Sequence, residues 1–190
     1  MEPSDRPDDP DRTPYVRPAE PDAGVRAVID GLLARLAEAG ARRRAVARVD
    51  DGEQLIEVAA GAAGRWSART ALVEWSYGPD GLASWHVSLA GARPRATTET
   101  RGWVHPAVGL LRPELLPVWG RPGDRFRPVH VTEGDHGPAL LDLAPVGGEV
   151  VDGQPVGRGG SLYLDPRRGL VTCLDLGDRV WTLVDYSELP

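Results

Sequence analysis

The stretch Ser161–Asp185, SLYLDPRRGLVTCLDLGDRVWTLVD, decides the fold class of this 190-residue chain. It consists of three apolar runs separated by two short breaks, and the runs are Ser161–Leu164, Leu170–Leu176 and Val180–Val184. The first break contains Pro166, which presets φ for a turn, and Gly169, which accepts a positive φ. Because breaks this short leave no room for a crossover connection, the sequence predicts a three-stranded antiparallel meander.

Apolar residues occupy both alternation sets of this meander. In the middle run, Leu170, Thr172, Leu174 and Leu176 belong to one set, and Val171 and Cys173 belong to the other. We therefore expect a sheet that is covered on both faces, or one with a second layer beyond it. The same alternation predicts that Cys173 is buried, which would make its thiol unreactive.

The clearest helical pattern of the chain lies in residues 22–40. One apolar stripe recurs there at helical spacing, and its members are Val25, Val28, Ile29, Leu32, Leu33 and Leu36. Asp22 is placed to cap the N-terminus, and Gly40 is placed to end the helix in a left-handed conformation. Three arginines follow at positions 42–44. We expect them in a solvated loop where they complement the helix dipole, and a basic patch for an acidic partner is the alternative.

The middle of the chain alternates between predicted hairpins and irregular segments. Ala45–Val49 and Leu55–Ala59 form the first hairpin around an Asp-Gly turn. Residues 91–127 contain five prolines and are expected either to cover one sheet or to connect two. Within them, short helical turns are predicted over Ala107–Leu111 and Glu114–Val118.

The second hairpin admits two registers. A four-residue loop would place Trp75 opposite Ser84, whereas a type I turn with a bulge would place Trp75 opposite Trp85. We expect the Trp75–Trp85 pair, because that register keeps one face of the hairpin apolar. Glu74 and His86 would then share the opposite, polar face.

Together these patterns predict an α+β protein. One N-terminal amphipathic helix packs on the sheet face of the expected tryptophan pair, and the C-terminal β-meander extends that antiparallel sheet or forms a second one. Residues 1–21 contain six prolines among acidic and arginine residues, so we expect a disordered tail. Residues 22–190 are expected to form a single α+β domain with possible sub-sheets over 41–90 and 125–187.

Composition restricts the classes of function. The formal charge of −6 disfavours binding to a nucleic-acid backbone. All 22 basic residues are arginines, as codon bias in a GC-rich bacterial genome would produce, so chemistry that depends on a lysine is excluded. The single cysteine excludes an internal disulfide. Without a signal-peptide pattern or a membrane-length apolar run, the chain is expected to be cytoplasmic and not to bind a membrane.

One loop carries residues that could ligate a metal. The segment HVTEGDH contains His130, Glu133, Asp135 and His136, and imidazoles with carboxylates form common three-ligand sets. The spacing does not match a known metal motif such as HExxH, and Gly-Asp with Gly-Pro is also ordinary turn chemistry. A divalent metal and an ordinary turn are thus both compatible with this loop.

Two further groups could bind a small ligand. The tryptophans Trp75 and Trp85 could form an aromatic platform, with His86 or Glu74 supplying hydrogen bonds. Arg158 lies in a glycine-rich run, GRGGS, whose backbone N–H groups could cradle an anion. The alternatives are that the tryptophans fill the core and that the glycine-rich run is a connector.

The segment FRPVHVTEGDHGPALLDL, residues Phe126–Leu143, resembles the strand, acidic turn and strand of the SUKH superfamily of immunity proteins. Asp-His-Gly stands where that family has Gly-Gly-Asp, and no matching N-terminal helical signature precedes it. No residue role is therefore transferred from the family to this chain.

The expected function is that of a non-enzymatic soluble protein that binds another protein, as an accessory or immunity-type module, and uses no cofactor. Acidity, abundant tryptophan and the lack of a nucleophile elbow favour this interpretation. One alternative is a metal-dependent hydrolase that uses the loop of residues 130–136. The other is a small-ligand-binding protein with a tryptophan-lined pocket.

Overall fold

The computed structural model describes residues 23–79, 81–86, 95–96, 103–132, 139–146, 150–151, 154–155 and 159–190. Its helices are α1, Ala23–Arg42, and α2, Pro106–Leu111, and a 3₁₀ turn follows α2 at Pro113–Leu115. The strands are β1 Ala45–Asp50, β2 Leu55–Ala60, β3 Trp66–Arg69, β4 Val73–Gly78, β5 Gly81–His86, β6 Arg95–Ala96, β7 Phe126–Thr132, β8 Ala139–Pro145, β9 Val150–Val151, β10 Gln154–Pro155, β11 Gly160–Asp165, β12 Leu170–Asp175 and β13 Val180–Glu188. Neither helix in this part of the chain is long and apolar enough to cross a membrane.

Eleven of these strands form one antiparallel sheet in the order β6-β5-β4-β3-β2-β1-β13-β12-β11-β8-β7. The two predicted hairpins, β1–β2 and β4–β5, and the predicted meander β11–β12–β13 are present, and β7 and β8 form a further hairpin. Strand β13 pairs with β1, so the meander extends the sheet that the N-terminal hairpins begin. The α+β class with an antiparallel sheet and an N-terminal helix is confirmed. Strands β9 and β10 form a separate two-stranded ladder.

The inner face of the sheet packs on α2. Alternate residues of β1 and β2 are buried, and cross-strand pairs such as Ala47 with Val58 lie on this face. Helix α2 contacts β12, β2 and β3, and five of its six residues are buried. Pro106 occupies its first turn, where a missing N–H costs nothing. The proline-rich segment is therefore a cover over the sheet, and α2 is its buried centre.

Helix α1 lies beside this cover. Its stripe buries Ile29, Leu32 and Leu36, and the helix contacts the 3₁₀ turn at residues 113–115 and strand β7. The expectation that it packs on the face of a tryptophan pair is therefore wrong, because α2 takes the central position. Helix α1 also continues past Gly40 to Arg42, so Gly40 is not a left-handed terminus. A Cβ at Gly40 would lie 2.5 Å from Oε1 of Glu114, so any larger residue here would displace the Glu114 side chain.

The expected Trp75–Trp85 pair is wrong. In the observed register Trp75 opposes Ser84 and Tyr77 opposes Leu82, with Gly81 at φ +92° closing a tight turn. The positive φ at Gly81 suits this short connection. On its other side Trp75 is paired with buried Ala68 of β3, so Trp75 has an apolar cross-strand neighbour without Trp85.

The outer face of the meander is not covered, contrary to expectation. Tyr163 is 40% exposed, and Cys173, its partner in β12, is half-buried rather than buried. An irregular register between β11 and β12 skips Thr172, so that Val171 joins Leu174 among the buried residues. The bulge thus places Val171 on the inner face with Leu174, which simple alternation could not predict.

Candidate functional site

The predicted metal loop is described only at its first residue. His130 is exposed on β7, whereas Glu133, Asp135 and His136 lie outside the described residues. Among the residues that are described, no group of three or more His, Cys, Asp or Glu side chains is placed to hold a metal ion. The four-residue metal site therefore stays a prediction.

The predicted ligand platform is only partly described. Arg158 and the side chains of Trp85 and His86 lie outside the described residues, and Glu74 is half-buried on β4. The ring of Trp75 lies 4.9 Å from the ring of His105, between ring centroids. Ligand binding by these five residues stays a prediction.

His105 belongs to an aromatic cluster that the sequence did not predict. Trp103 meets His105 edge-on with ring centroids 6.0 Å apart, and Trp66 lies 6.1 Å from both Trp103 and Tyr77. His105 precedes α2, and its Nδ1 accepts a hydrogen bond from the N–H of Ala107. The imidazole therefore caps α2 inside the fold, a role that only the contacts of α2 reveal.

Burial lowers the pKa of His105 to about 4. The carboxylate of Asp51 opposes this shift in pKa, and the guanidinium of Arg179 adds to it. The imidazole is consequently neutral near pH 7, and this is the form whose Nδ1 can accept the capping hydrogen bond.

Arg43 is buried, contrary to the prediction of a solvated arginine loop. Its side chain is bonded to backbone carbonyls of two separate segments: Leu111 at the end of α2, and Arg168 and Gly169 in the β11–β12 turn. The Nη1–O distance to Gly169 is 3.0 Å and the Nη2–O distance to Arg168 is 2.5 Å. Arg43 therefore ties the end of α1 to both α2 and the meander.

A cleft opens in the sheet beside this arginine. The ladder between β12 and β13 contains only three residue pairs, which end at Cys173 and Thr182. Beyond them lies an open cavity of about 630 Å³, which we name the strand cleft; its lining residues are Arg168, Thr172, Leu183, Val184, Asp185, Tyr186 and Glu188. This volume lies within the range of ligand-binding sites.

The polar groups of the strand cleft lie mainly on its β13 side. The hydroxyl of Tyr186 donates a hydrogen bond to Oε1 of Glu188 at 2.6 Å. Burial, then this carboxylate, raises the pKa of Tyr186 to about 12, so the hydroxyl keeps its proton near pH 7. Asp185 forms an ion pair with Arg48 of β1 at 3.1 Å, and Arg168 stands on the opposite side.

The outer face of the sheet has two regions of different character. Across β13 and β1–β4, paired positions alternate in charge, and the series is Asp185, Arg48, Glu57, Arg69 and Glu74. Across β11–β13 the outer face presents the exposed apolar side chains of Tyr163 and Val180 and half-buried Cys173, and we name this group the outer patch. Asp175 and Thr182 lie on the same face, paired with Val180 and Cys173. Val184, which is 54% exposed, lines the strand cleft.

Comparisons with known proteins assign no family. No family model matches the sequence, so the resemblance of residues 126–143 to the SUKH superfamily gains no support. No curated protein matches it either. Eleven chains of solved structures match, among them a chain of the complex of MucA and MucB from Pseudomonas aeruginosa, with a TM-score of 0.37 and 11% identity. The match covers 86% of this chain and 58% of that chain, and no function follows from a similarity of this size.

Proposed function

We propose that the chain is a protein-binding module that engages its partner through the outer patch. The observation that carries this proposal is the exposure of apolar side chains on the meander, 40% for Tyr163 and 42% for Val180. Tyrosine at the centre of an apolar group is a frequent anchor of protein interfaces.

The contrast within the sheet supports the choice of this region. Over β1–β4 the outer face carries paired opposite charges, such as Glu57 opposite Arg69, which suit contact with water. Over β11–β13 the same face carries Asp175, but its cross-strand partners are Ser161 and Val180, so no pair of opposite charges forms there. Charged residues are depleted at the centres of protein interfaces, so the meander is the part of the face that fits a partner.

The experiment compares partner capture by the full-length chain and by two variants. The variant Tyr163→Thr with Val180→Thr removes the apolar anchors and keeps residues that favour strands. The control is Leu72→Thr, because Leu72 is 62% exposed in the bend between β3 and β4, away from the outer patch. Proteins captured from the native lysate are identified by mass spectrometry, purified, and titrated against each variant.

We expect the patch variant to bind the purified partner at least about tenfold more weakly, since truncating an interface anchor costs more than 1.4 kcal/mol. The Leu72→Thr control should bind like the wild-type chain. Circular dichroism and melting temperature verify that both variants are folded. Equal affinity of the patch variant and the control for every captured protein would refute the proposal.

A further inference from the structure

The strand cleft exists because two strands bulge at the same level. Between β11 and β12, Tyr163 pairs with Cys173 and Leu164 with Val171, which leaves Thr172 as an extra residue. Between β1 and β13, Arg48 pairs with Asp185 and Val49 with Leu183, which leaves Val184 as an extra residue. Bulges bend strands and end their pairing, so β12 and β13 separate at this level.

The separation leaves one edge of β13 open. Strand β13 pairs with β1 as far as Glu188, but its ladder with β12 ends at Thr182. Within residues 159–190, all of which are described, no strand pairs with the other edge of β13 beyond that point. Backbone N–H and C=O groups of alternate residues within Leu183–Glu188, those that do not bond β1, therefore face the strand cleft, and an open edge of this kind accepts an extended chain.

Arg43 keeps the opposite side of the cleft in place. Its guanidinium bonds the carbonyls of Arg168 and Gly169 in the β11–β12 turn and that of Leu111 in α2. Arg43 is only 7% exposed, so these bonds are shielded from water. For the turn to close onto β13, it would have to break bonds to a buried charge, so the cleft is formed before any ligand arrives.

We infer that the strand cleft binds an extended peptide segment of a protein partner, which pairs with the open edge of β13. This inference rests on the proposed function and describes how the partner would bind. On the β13 side Asp185 is already paired with Arg48, and Glu188 favours a basic side chain in the peptide. Arg168 on the turn side favours an acidic one. The bound peptide thus combines backbone pairing with charges of both signs.

The test selects ten-residue peptides from a random displayed library on the immobilised full-length chain. Two variants alter the charges of the cleft, Glu188→Lys and Arg168→Glu, and Glu57→Arg on the outer face of β2 is the matched control. All three side chains are solvent-exposed, so folding should be preserved, and melting temperatures verify this. Hydrogen exchange followed by NMR then reports which backbone amides the selected peptides protect.

We expect peptides that carry a basic and an acidic residue and that protect amides within residues 183–188. Their affinity should fall about tenfold or more in Glu188→Lys and in Arg168→Glu and stay unchanged in Glu57→Arg. No selective enrichment, or protection of amides elsewhere only, overturns the inference. Strong protection, in the free chain, of those amides of residues 183–188 that do not bond β1 also overturns it, because the chain itself would then fill the cleft, either from its own segment or, if protection rises with concentration, from a second copy.

Failure of this inference can be separated from failure of the proposed function. If the partner depends on Tyr163 and Val180 but binds the two cleft variants with wild-type affinity, the outer patch is a docking surface and the cleft is not. If selected peptides protect residues 183–188 while no partner depends on the outer patch, the peptide site stands and the proposed docking surface falls.

Discussion

Replacing Gly40 by alanine tests the packing between α1 and the cover of the sheet. Alanine normally stabilises a helix interior by about 0.5–1 kcal/mol relative to glycine. At Gly40, however, a Cβ would lie 2.5 Å from Oε1 and 2.6 Å from Oε2 of Glu114. Glu114 is buried, and its Oε1 accepts a hydrogen bond from Nε of Arg112 at 2.5 Å, so moving the carboxylate aside would break this bond. Overpacking of this kind costs about 1–3 kcal/mol, which exceeds the gain in helix propensity.

The matched control is Gly31→Ala in the same helix. Gly31 is exposed, and a Cβ there would meet only Nη1 of Arg35 at 3.8 Å, an ordinary contact. We therefore expect opposite signs in a chemical denaturation series: Gly40→Ala less stable than wild type by about 1–2 kcal/mol, and Gly31→Ala more stable by about 0.5–1 kcal/mol. Melting temperatures should change by roughly 2–4 °C per kcal/mol. If Gly40→Ala matches or exceeds the stability of wild type, α1 does not pack against Glu114 as described.

Two further predictions concern buried polar groups. Arg43→Met leaves the buried carbonyls of Leu111 and Gly169 without their donor, so it should lower the free energy of unfolding by roughly 3 kcal/mol. The control Arg42→Met removes only an exposed ion pair with Glu38 and should change the free energy of unfolding by less than about 0.5 kcal/mol. Urea denaturation measures both, and equal effects would contradict the burial of Arg43. Folding lowers the pKa of His105 from 6.5 to about 4, so between these pH values the unfolded chain binds more protons than the folded chain. The stability that the neutral imidazole contributes is therefore complete above pH 6.5 and is lost as the pH falls to about 4. His105→Asn keeps a capping oxygen and should remove up to about 3 kcal/mol of the change in stability between pH 6.5 and pH 4. If the stability of this variant falls as steeply as that of wild type over the same range, another group is responsible for the pH dependence.

Local patterns predicted the elements of this fold well. The apolar stripe gave helix α1, the Asp-Gly turn gave the β1–β2 hairpin, and the breaks at Gly169 and Gly177 gave the meander. Each of these signals lies within about ten residues of the structure that it specifies. The α+β class followed from them directly.

What the sequence did not reveal depends on contacts between distant segments. The role of Gly40 is set by Glu114, the burial of Arg43 by carbonyls at residues 111, 168 and 169, and the register of Trp75 by the strand on its other side. Periodicity shows which residues share a face, but it does not show what covers that face. For the same reason the position of α2 at the centre of the core, and with it His105, could not be predicted.

The strand cleft and the outer patch also could not be predicted from periodicity alone. The strand cleft arises from two skipped residues, Thr172 and Val184, and neither bulge has a glycine or another sequence signal that would mark it. The outer patch is visible in the sequence as apolar residues in both alternation sets, which we took as a sign of a covered sheet. The same pattern is equally typical of a sheet with one face left for another molecule.

The pairing of β1 with β13 has a consequence for how the chain is made. Arg48 and Asp185 are 137 positions apart, whereas the partner on the other side of β1 is the adjacent strand β2. During translation the N-terminal hairpins can form on the ribosome, but one edge of β1 must wait for β13 to emerge. Such a nascent chain carries an unpaired strand edge for most of its synthesis, and this is the stage at which chaperones would protect it from aggregation.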